Sequence, residues 1–275
     1  MSLPPPTPHS TVLVTGASSG IGAELARELA RRGYGLTLVA RRRERLTELA
    51  DECQRRHGVA VDVRAADLSK PASRTRLIAA MHASSTSVVG LCNNAGFGSF
   101  GRFQNLPLET ETEQVRLNVD ALHELTGAFV ADMVLRKEGA ILNTGSIAGF
   151  QPLPANATYA ATKAFVNSFS EAVHTDLAGT GVSCTALCPG PVRTEFGEVA
   201  GLGDANGAGP DFLWGSPDDV ARAGVEAMLK GRRSVIPGLG NRAAALGGRL
   251  TPRTLLLPLA RLAIRNSARG GAKTG

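Results

Sequence analysis

Aromatic side chains are scarce in this chain of 275 residues: one tryptophan, two tyrosines and nine phenylalanines, 4% in all. That scarcity disfavours recognition of nucleic acid by stacking bases on aromatic rings. Cysteine is sparse too. Cys53, Cys92, Cys184 and Cys188 form no C-x-x-C pair, and His9, His57, His82, His123 and His174 show no zinc-ligand spacing. No metal site and no disulfide framework are expected, but rather buried free thiols in a reducing compartment. No apolar run approaches the roughly 20 residues that cross a bilayer. The proline-rich opening, residues 1–10, lacks a basic stretch followed by an apolar one, so no secretory signal is read there and the segment is expected to be disordered. What the end of the chain lacks is acid. From Lys230 onward there are ten Lys or Arg and no Asp or Glu, while the remainder holds 20 basic against 24 acidic residues. The net charge of +6 therefore belongs to the tail and is not by itself a nucleic-acid footprint.

What is present is an alternation. Short apolar runs at 11–14, 36–40, 59–63, 88–92, 140–144 and 182–187 read as strands. Helical patterns at 23–32, 44–56, 71–83, 111–135 (one helix or two) and 159–177 fall between them. Continuous apolar strands separated by helices mean a parallel sheet covered on both faces, an α/β three-layer sandwich in one domain over residues 11–240. A glycine-rich stretch at 197–215 is expected to be a mobile loop, and residues 241–275 a basic, partly apolar extension.

The first strand breaks at Thr15-Gly16-Ala17-Ser18-Ser19-Gly20-Ile21-Gly22. Glycines between a strand and a helix N-terminus are suited to a pyrophosphate, because the backbone can approach phosphate oxygens and free N–H groups point at them. The second strand ends in Arg41-Arg42-Arg43 with no acid. Arginine there suits a ribose 2′-phosphate, where an acid would take a 2′-hydroxyl, so NADP(H) is expected over NAD(H). Further on, Tyr159 and Lys163 lie four residues apart at a helix start and so share a face. A fixed cation lowers a tyrosine pKa from its ordinary value near 10 towards the working range. Ser146 stands just past a strand, placed to hold a substrate oxygen. Taken alone, a Tyr-x-x-x-Lys pair is usually an ordinary surface or packing feature.

Thr15-Gly-Ala-Ser-Ser-Gly-Ile-Gly22, Asn93-Asn-Ala-Gly96, Leu117-Asn118-Val119, Gly145-Ser146, Tyr159-x-x-x-Lys163 and Pro189-Gly-Pro-Val-Arg-Thr194 together resemble the short-chain dehydrogenase/reductase family over roughly residues 10–196. The resemblance implies a Rossmann-type doubly wound sheet and a catalytic tetrad of Asn118, Ser146, Tyr159 and Lys163. Tyr159 would be the acid in reduction and the base in oxidation. Lys163 would lower its pKa and bind the nicotinamide ribose, Ser146 would orient the carbonyl, and Asn118 would hold a relay water. Cofactor contacts would come from Gly16, Ser18, Ser19, Gly20, Ile21 and Gly22, with Arg41 on the 2′-phosphate. Asp67 and Leu68 would flank the adenine, with Asn94, Ala95 and Gly96 on the adenosine side. Pro189, Gly190, Val192 and Thr194 would close over the nicotinamide. The resemblance also implies a small-molecule carbonyl or alcohol substrate and a homodimer or homotetramer formed through the long central helices. Before Asn93 the family often has an acid, whereas this chain has Ser87-Val88-Val89-Gly90.

The resemblance implies that about 196–215 closes over the substrate as a lid. Leu202, Phe212, Leu213 and Trp214 either make that lid apolar, which favours a hydrophobic ketone or acyl chain over a sugar, or pack the loop against the body. Glu109, Glu111 and Glu113 read as a charge cluster at a helix start. Pro252 to Arg269 mixes leucines with arginines and is able to lie on an anionic membrane surface, in a protein otherwise expected to be cytoplasmic. Two other readings stay open, a 3-oxoacyl thioester reductase and a non-catalytic NADP-binding sensor.

Overall fold

A computed structural model describes residues 3–200 and 214–258. The lid residues Leu202, Phe212 and Leu213, and the tail beyond residue 258, lie outside the described residues. Seven parallel strands form one sheet in the order β3-β2-β1-β4-β5-β6-β7. The strands are β1 (Ser10–Thr15), β2 (Leu36–Ala40), β3 (Val61–Ala65), β4 (Ser87–Asn93), β5 (Gly139–Thr144), β6 (Val182–Leu187) and β7 (Ser234–Val235). Between them run α1 (Gly20–Arg31), α2 (Arg43–His57), α3 (Pro71–His82), α4 (Leu108–Val115), α5 (Leu122–Arg136), α6 (Ala157–Asp176), the short α7 (Phe196–Val199), α8 (Pro217–Leu229) and α9 (Leu239–Leu250). A π-helical segment, Arg116–Ala121, joins α4 to α5.

The pleat sends alternate residues to two cores. Val12, Val14, Leu38 and Leu142 pack under α1, α2 and α8. Leu13, Val39, Leu91 and Ile141 pack under α3 and α5, against Leu77, Leu125, Phe129 and Met133. The second core carries a polar seam. Asn93 and Asn143 stand opposite each other on β4 and β5. Asn93 Nδ2 donates to Asn143 Oδ1 (2.9 Å) and to Thr126 Oγ1 (3.0 Å), and Asn143 Nδ2 donates to Ser170 Oγ (3.0 Å). The order reverses between β1 and β4, and a sheet that reverses leaves a crevice at the strand ends.

Four expectations need correction. Residues 3–9 are tied to the body: Leu3 is 3% exposed and sits in the first core, and Ser87 N–H donates to His9 O (2.9 Å). Strand β3 starts at Val61, not Val59, because it pairs in register with β2 from Leu36, while Val59 is buried in the connection. Helices α8 and α9 and strand β7 were not read from the sequence. The boundary at residue 241 cuts through α9, whose Asn241 and Ala245 are buried, so the helix belongs to the body.

Candidate active site

A cleft of about 610 Å³ opens along the carboxyl ends of β1, β2, β4, β5 and β6, within the range of small-molecule sites. Gly16, Ser18, Ser19, Gly20 and Ile21 line one end, with Arg41, Arg42, Asp67 and Leu68. Ser146, Tyr159 and Lys163 line the other, and Asn94, Ala95, Gly96, Pro189, Gly190, Val192 and Thr194 lie along the walls. The two expected residues that do not line it are Gly22 and Asn118.

The glycine turn is built by close approach. Gly16 has φ +67°, a left-handed conformation that other residues adopt at a cost. A Cβ on Gly22 would overlap the Gly16 carbonyl and lie 2.5 Å from Asn94 Nδ2, so Gly22 acts from beneath the turn. Thr15 Oγ1 pins this turn to β4 by accepting from Asn94 N (2.9 Å) and Ala95 N (3.0 Å). Helix α1 begins at Gly20 without a side-chain cap, which leaves its N–H groups facing the cleft.

At the tip of β2 the arginines divide. Arg41 and Arg42 line the cleft, and Arg43 begins α2. Arg42 donates from Nε and Nη2 to Ser18 Oγ (3.2 and 3.1 Å) and from Nη1 to Glu195 Oε2 (2.9 Å). That pairing holds the Glu195 carboxyl below its usual range, a small effect since both side chains are about half exposed. Arg42, which the resemblance does not single out, lines the same end of the cleft as Arg41, and the triple-arginine run was its signal in the sequence.

At the other end, α6 presents Tyr159 and Lys163 on one face. Lys163 is 6% exposed and its Nζ donates to Thr144 O (2.7 Å), lying 5.8 Å from the centre of the Tyr159 ring. Burial pulls the lysine down to about 8. Burial also pushes the Tyr159 phenol up to about 12, opposed by a side-chain hydrogen bond with Ser146. The lowering of the tyrosine pKa expected from Lys163 is not what these contacts alone produce. The ammonium is spent on a carbonyl, and loss of water around the phenol outweighs the Ser146 hydroxyl. Ser146 caps the one-turn helix Ile147–Phe150, its Oγ accepting from Ala148 N (3.1 Å).

Asn118 is buried in the π segment. Its Nδ2 donates to Phe97 O (2.9 Å) and Thr162 Oγ1 (3.1 Å), and its Oδ1 accepts from Phe97 N (3.1 Å). The amide thus fixes the 94–97 strip onto α6, and its side chain is not offered to the cleft. The glutamates also differ from a plain charge cluster. Glu113 lines the cleft and accepts from Ser69 Oγ (3.1 Å), whereas Glu111 is buried. At the cleft mouth, Phe97, Leu153, Phe196 and Trp214 supply an apolar rim, and Phe196 packs 5.4 Å from the Tyr159 ring. A bridge from Val192 to Gly215 closes the base of the lid segment.

The family model for short chain dehydrogenases matches residues 10–202. A sulfoacetaldehyde reductase of Chromohalobacter salexigens is 40% identical over 198 residues, covering 70% of this chain and 76% of that protein. An NADP-dependent 3-hydroxy acid dehydrogenase of Escherichia coli is 35% identical over 217 residues, 77% of this chain and 86% of that protein. Among solved structures, a short-chain dehydrogenase from Sphingobium yanoikuyae in complex with NADPH superposes with a TM-score of 0.78 at 36% identity, covering 87% of this chain and 92% of that one. A family model that spans more than half of the residues, together with relatives above 30% identity over most of the sequence, places the fold and cleft described above in one lineage: the chain belongs to the short chain dehydrogenase family.

Proposed function

We propose that the protein is an NADP(H)-dependent oxidoreductase that interconverts a carbonyl and an alcohol, and that its substrate is apolar. The observation that carries the reading is the meeting of Tyr159 and Ser146 at the end of a cleft whose far end holds two arginines and no acid on β2. NADP-dependence of the Escherichia coli relative and NADPH in the Sphingobium structure support the cofactor.

The residues present fit that cofactor. The uncapped start of α1 and the Gly16–Gly20 turn would hold the pyrophosphate, and Arg41, Arg42 and Ser18 the 2′-phosphate. Asp67 and Leu68 would flank the adenine, with Asn94, Ala95 and Gly96 beside the adenosine. Lys163 would meet the nicotinamide ribose, with Pro189, Gly190, Val192 and Thr194 around the carboxamide. When bound, the cofactor supplies or accepts the hydride. Tyr159 holds its proton at neutral pH and donates it to the oxygen of the reduced carbonyl, while the Ser146 hydroxyl fixes that same oxygen. The Asn118 amide is engaged with Phe97 and Thr162, so Asn118 would support the site by holding the Phe97 strip against α6.

Two of the relatives are named for sulfoacetaldehyde and for 3-hydroxy acids, both acidic compounds. Among the described residues lining the cleft, the cations are Arg41, Arg42 and Lys163, while Arg193 lies over the ring of Trp214, 5.9 Å from its centre, beside the apolar rim of Phe97, Leu153, Phe196 and Trp214. That rim favours a neutral, hydrophobic ketone. The exposed Leu108, Val115, Leu135 and Phe165 on α4, α5 and α6 support a homo-oligomer joined through the central helices. The exposed Leu239, Leu246 and Leu250 of α9, beside Arg242 and Arg249, support weak contact with anionic lipid, which vesicle flotation tests.

The deciding experiment is fluorescence titration of NADPH and NADH into wild type, Arg41→Ala and Arg42→Ala, followed by a panel of aryl ketones, acyl thioesters and small carboxylated carbonyls with NADPH. NADPH preference that collapses in either variant, with turnover of the ketones, is the expected result. Equal affinity for the two cofactors overturns the NADP reading, and faster turnover of the carboxylates overturns the apolar substrate.

A further inference from the structure

Between the catalytic helix and the serine loop lies a buried amide that the mechanism above does not use. We propose that Asn167 is a positioning residue for the reaction, holding Ser146 at its place opposite Tyr159 and Lys163. The proposal rests on the reading of Ser146 as the hydroxyl that fixes the substrate oxygen.

Asn167 lies one helical turn beyond Lys163 and two beyond Tyr159 on α6, on the inward face, and is 5% exposed. Its side chain treats Ser146 as a neighbouring strand would. Nδ2 donates to Ser146 O (2.9 Å) and Oδ1 accepts from Ser146 N (3.4 Å), so both main-chain groups of the serine are tied to the helix that carries the other two catalytic groups. Oδ1 also accepts from Cys188 Sγ (3.3 Å), at the exit of β6. The next residue, Pro189, offers its carbonyl to Ser146 Oγ (3.4 Å) and Ile147 N (3.0 Å). One amide thus joins β5, β6 and α6 where they converge on the reacting oxygen.

The glycines around the serine show how closely the amide is seated. A Cβ on Gly145 would overlap Asn167 Oδ1, and a Cβ on Gly149 would lie 2.6 Å from Nδ2. Gly145 is therefore small because Asn167 occupies the space beside the loop, and Gly149 because the Lys163 backbone (2.5 Å) and the Asn167 amide both do. An isosteric leucine would leave the Ser146 N–H and carbonyl without these partners and free the loop to shift. Displacements of about 1 Å at a reacting group can cost about a hundredfold in rate.

A fold-stabilising asparagine would produce the same contacts, so the test separates the two roles. Single-turnover reduction of phenanthrenequinone by NADPH, or of whichever panel carbonyl turns over fastest, is measured for Asn167→Leu, Ser146→Ala and the double variant, with NADPH affinity by titration. The expected result is a 10- to 100-fold loss of kcat in Asn167→Leu, NADPH affinity within twofold of wild type, and less than twofold further loss when Asn167→Leu is added to Ser146→Ala. An equal fold loss in both backgrounds, a parallel loss of NADPH affinity, or a kcat within twofold of wild type in folded Asn167→Leu overturns the proposal. Should Asn167→Leu not fold, Cys188→Ala removes one of the two donors to Oδ1, and the same cycle with Ser146→Ala is read with a two- to fivefold expected loss. Full activity of Ser146→Ala would remove the reading of Ser146 itself, whereas inactive Ser146→Ala with indifferent Asn167 and Cys188 variants would remove only this proposal.

Discussion

Half-buried Tyr159 and buried Lys163 set how this site responds to pH. Tyr159 is held up at about 12 and Lys163 down at about 8, both by burial. The phenol is thus in its donating form throughout the neutral range, and the lysine keeps its charge only below about 8. Reduction, measured as kcat/KM, is expected to be flat below pH 8 and to fall above it as the ammonium is lost. Oxidation needs the phenolate, whose fraction grows tenfold per pH unit below 12, so its kcat/KM should climb with pH. Parallel profiles in the two directions would contradict this assignment. The folded lysine value lies below the unfolded one, so Lys163 costs stability at neutral pH and that cost is relieved as pH rises from about 8 to 10.5. At the other end of the cleft, Gly22→Ala puts a methyl into the Gly16 carbonyl and against Asn94. Loss of NADPH binding by at least tenfold is expected, with destabilisation of about 1–3 kcal/mol for overpacking. Titration and thermal melting check both, and an intact affinity would show that the turn can give.

Individual elements show what each helix holds in place. Helix α3 is fastened by Arg74, only 2% exposed, which donates to Glu124 on α5 (2.5 and 2.7 Å) and to Leu68 O (2.9 Å). It ties the Leu68 edge of the cleft to α5, which packs beside α3 on the same face of the sheet. Arg74→Leu should cost about 2–4 kcal/mol, below the worst cases of broken buried pairs because Glu124 is 43% exposed and can turn to water. A Tm lowered by roughly 5–15 °C is the expected reading, and an unchanged Tm would show that the arginine is dispensable. The elements also show what could be read in advance. Strands β1, β2, β4, β5 and β6 announced themselves because both of their faces are buried, which makes the run continuous. Strand β3 is at the sheet edge with mixed burial, and its start was misjudged by two residues. Helix α8 carried a readable signal, Ser216 before Pro217-Asp218-Asp219, with the serine accepting from Asp219 N (3.1 Å). It goes unassigned from the sequence, where residues 216–240 fall within the domain without an element of their own.

Across the whole molecule, the residues that were legible are those whose chemistry dictates their identity: the glycine turn, the arginines, Ser146, Tyr159 and Lys163. Those that were not legible act through three-dimensional contact. Asn167, Cys188 and Glu195 meet their partners over 21 to 153 positions of sequence, and nothing local distinguishes them from ordinary polar residues. Asn118 was legible as a position but not as a role, since its amide is occupied only once Phe97 and Thr162 are folded beside it. The seam of Asn93 and Asn143 belongs to the same class. Parallel strands have no hairpin turn to align them, and when helices cover both faces a hydrophobic pattern no longer says which way a strand should face. A slip of one residue between β4 and β5 would move Asn94 relative to Ser146 by about 3.3 Å and turn each amide into hydrocarbon without its partner. The seam works as an address label: a compact chain with its strands misaligned has two stranded amides to betray it, and only the alignment that assembles the cleft lets them read each other.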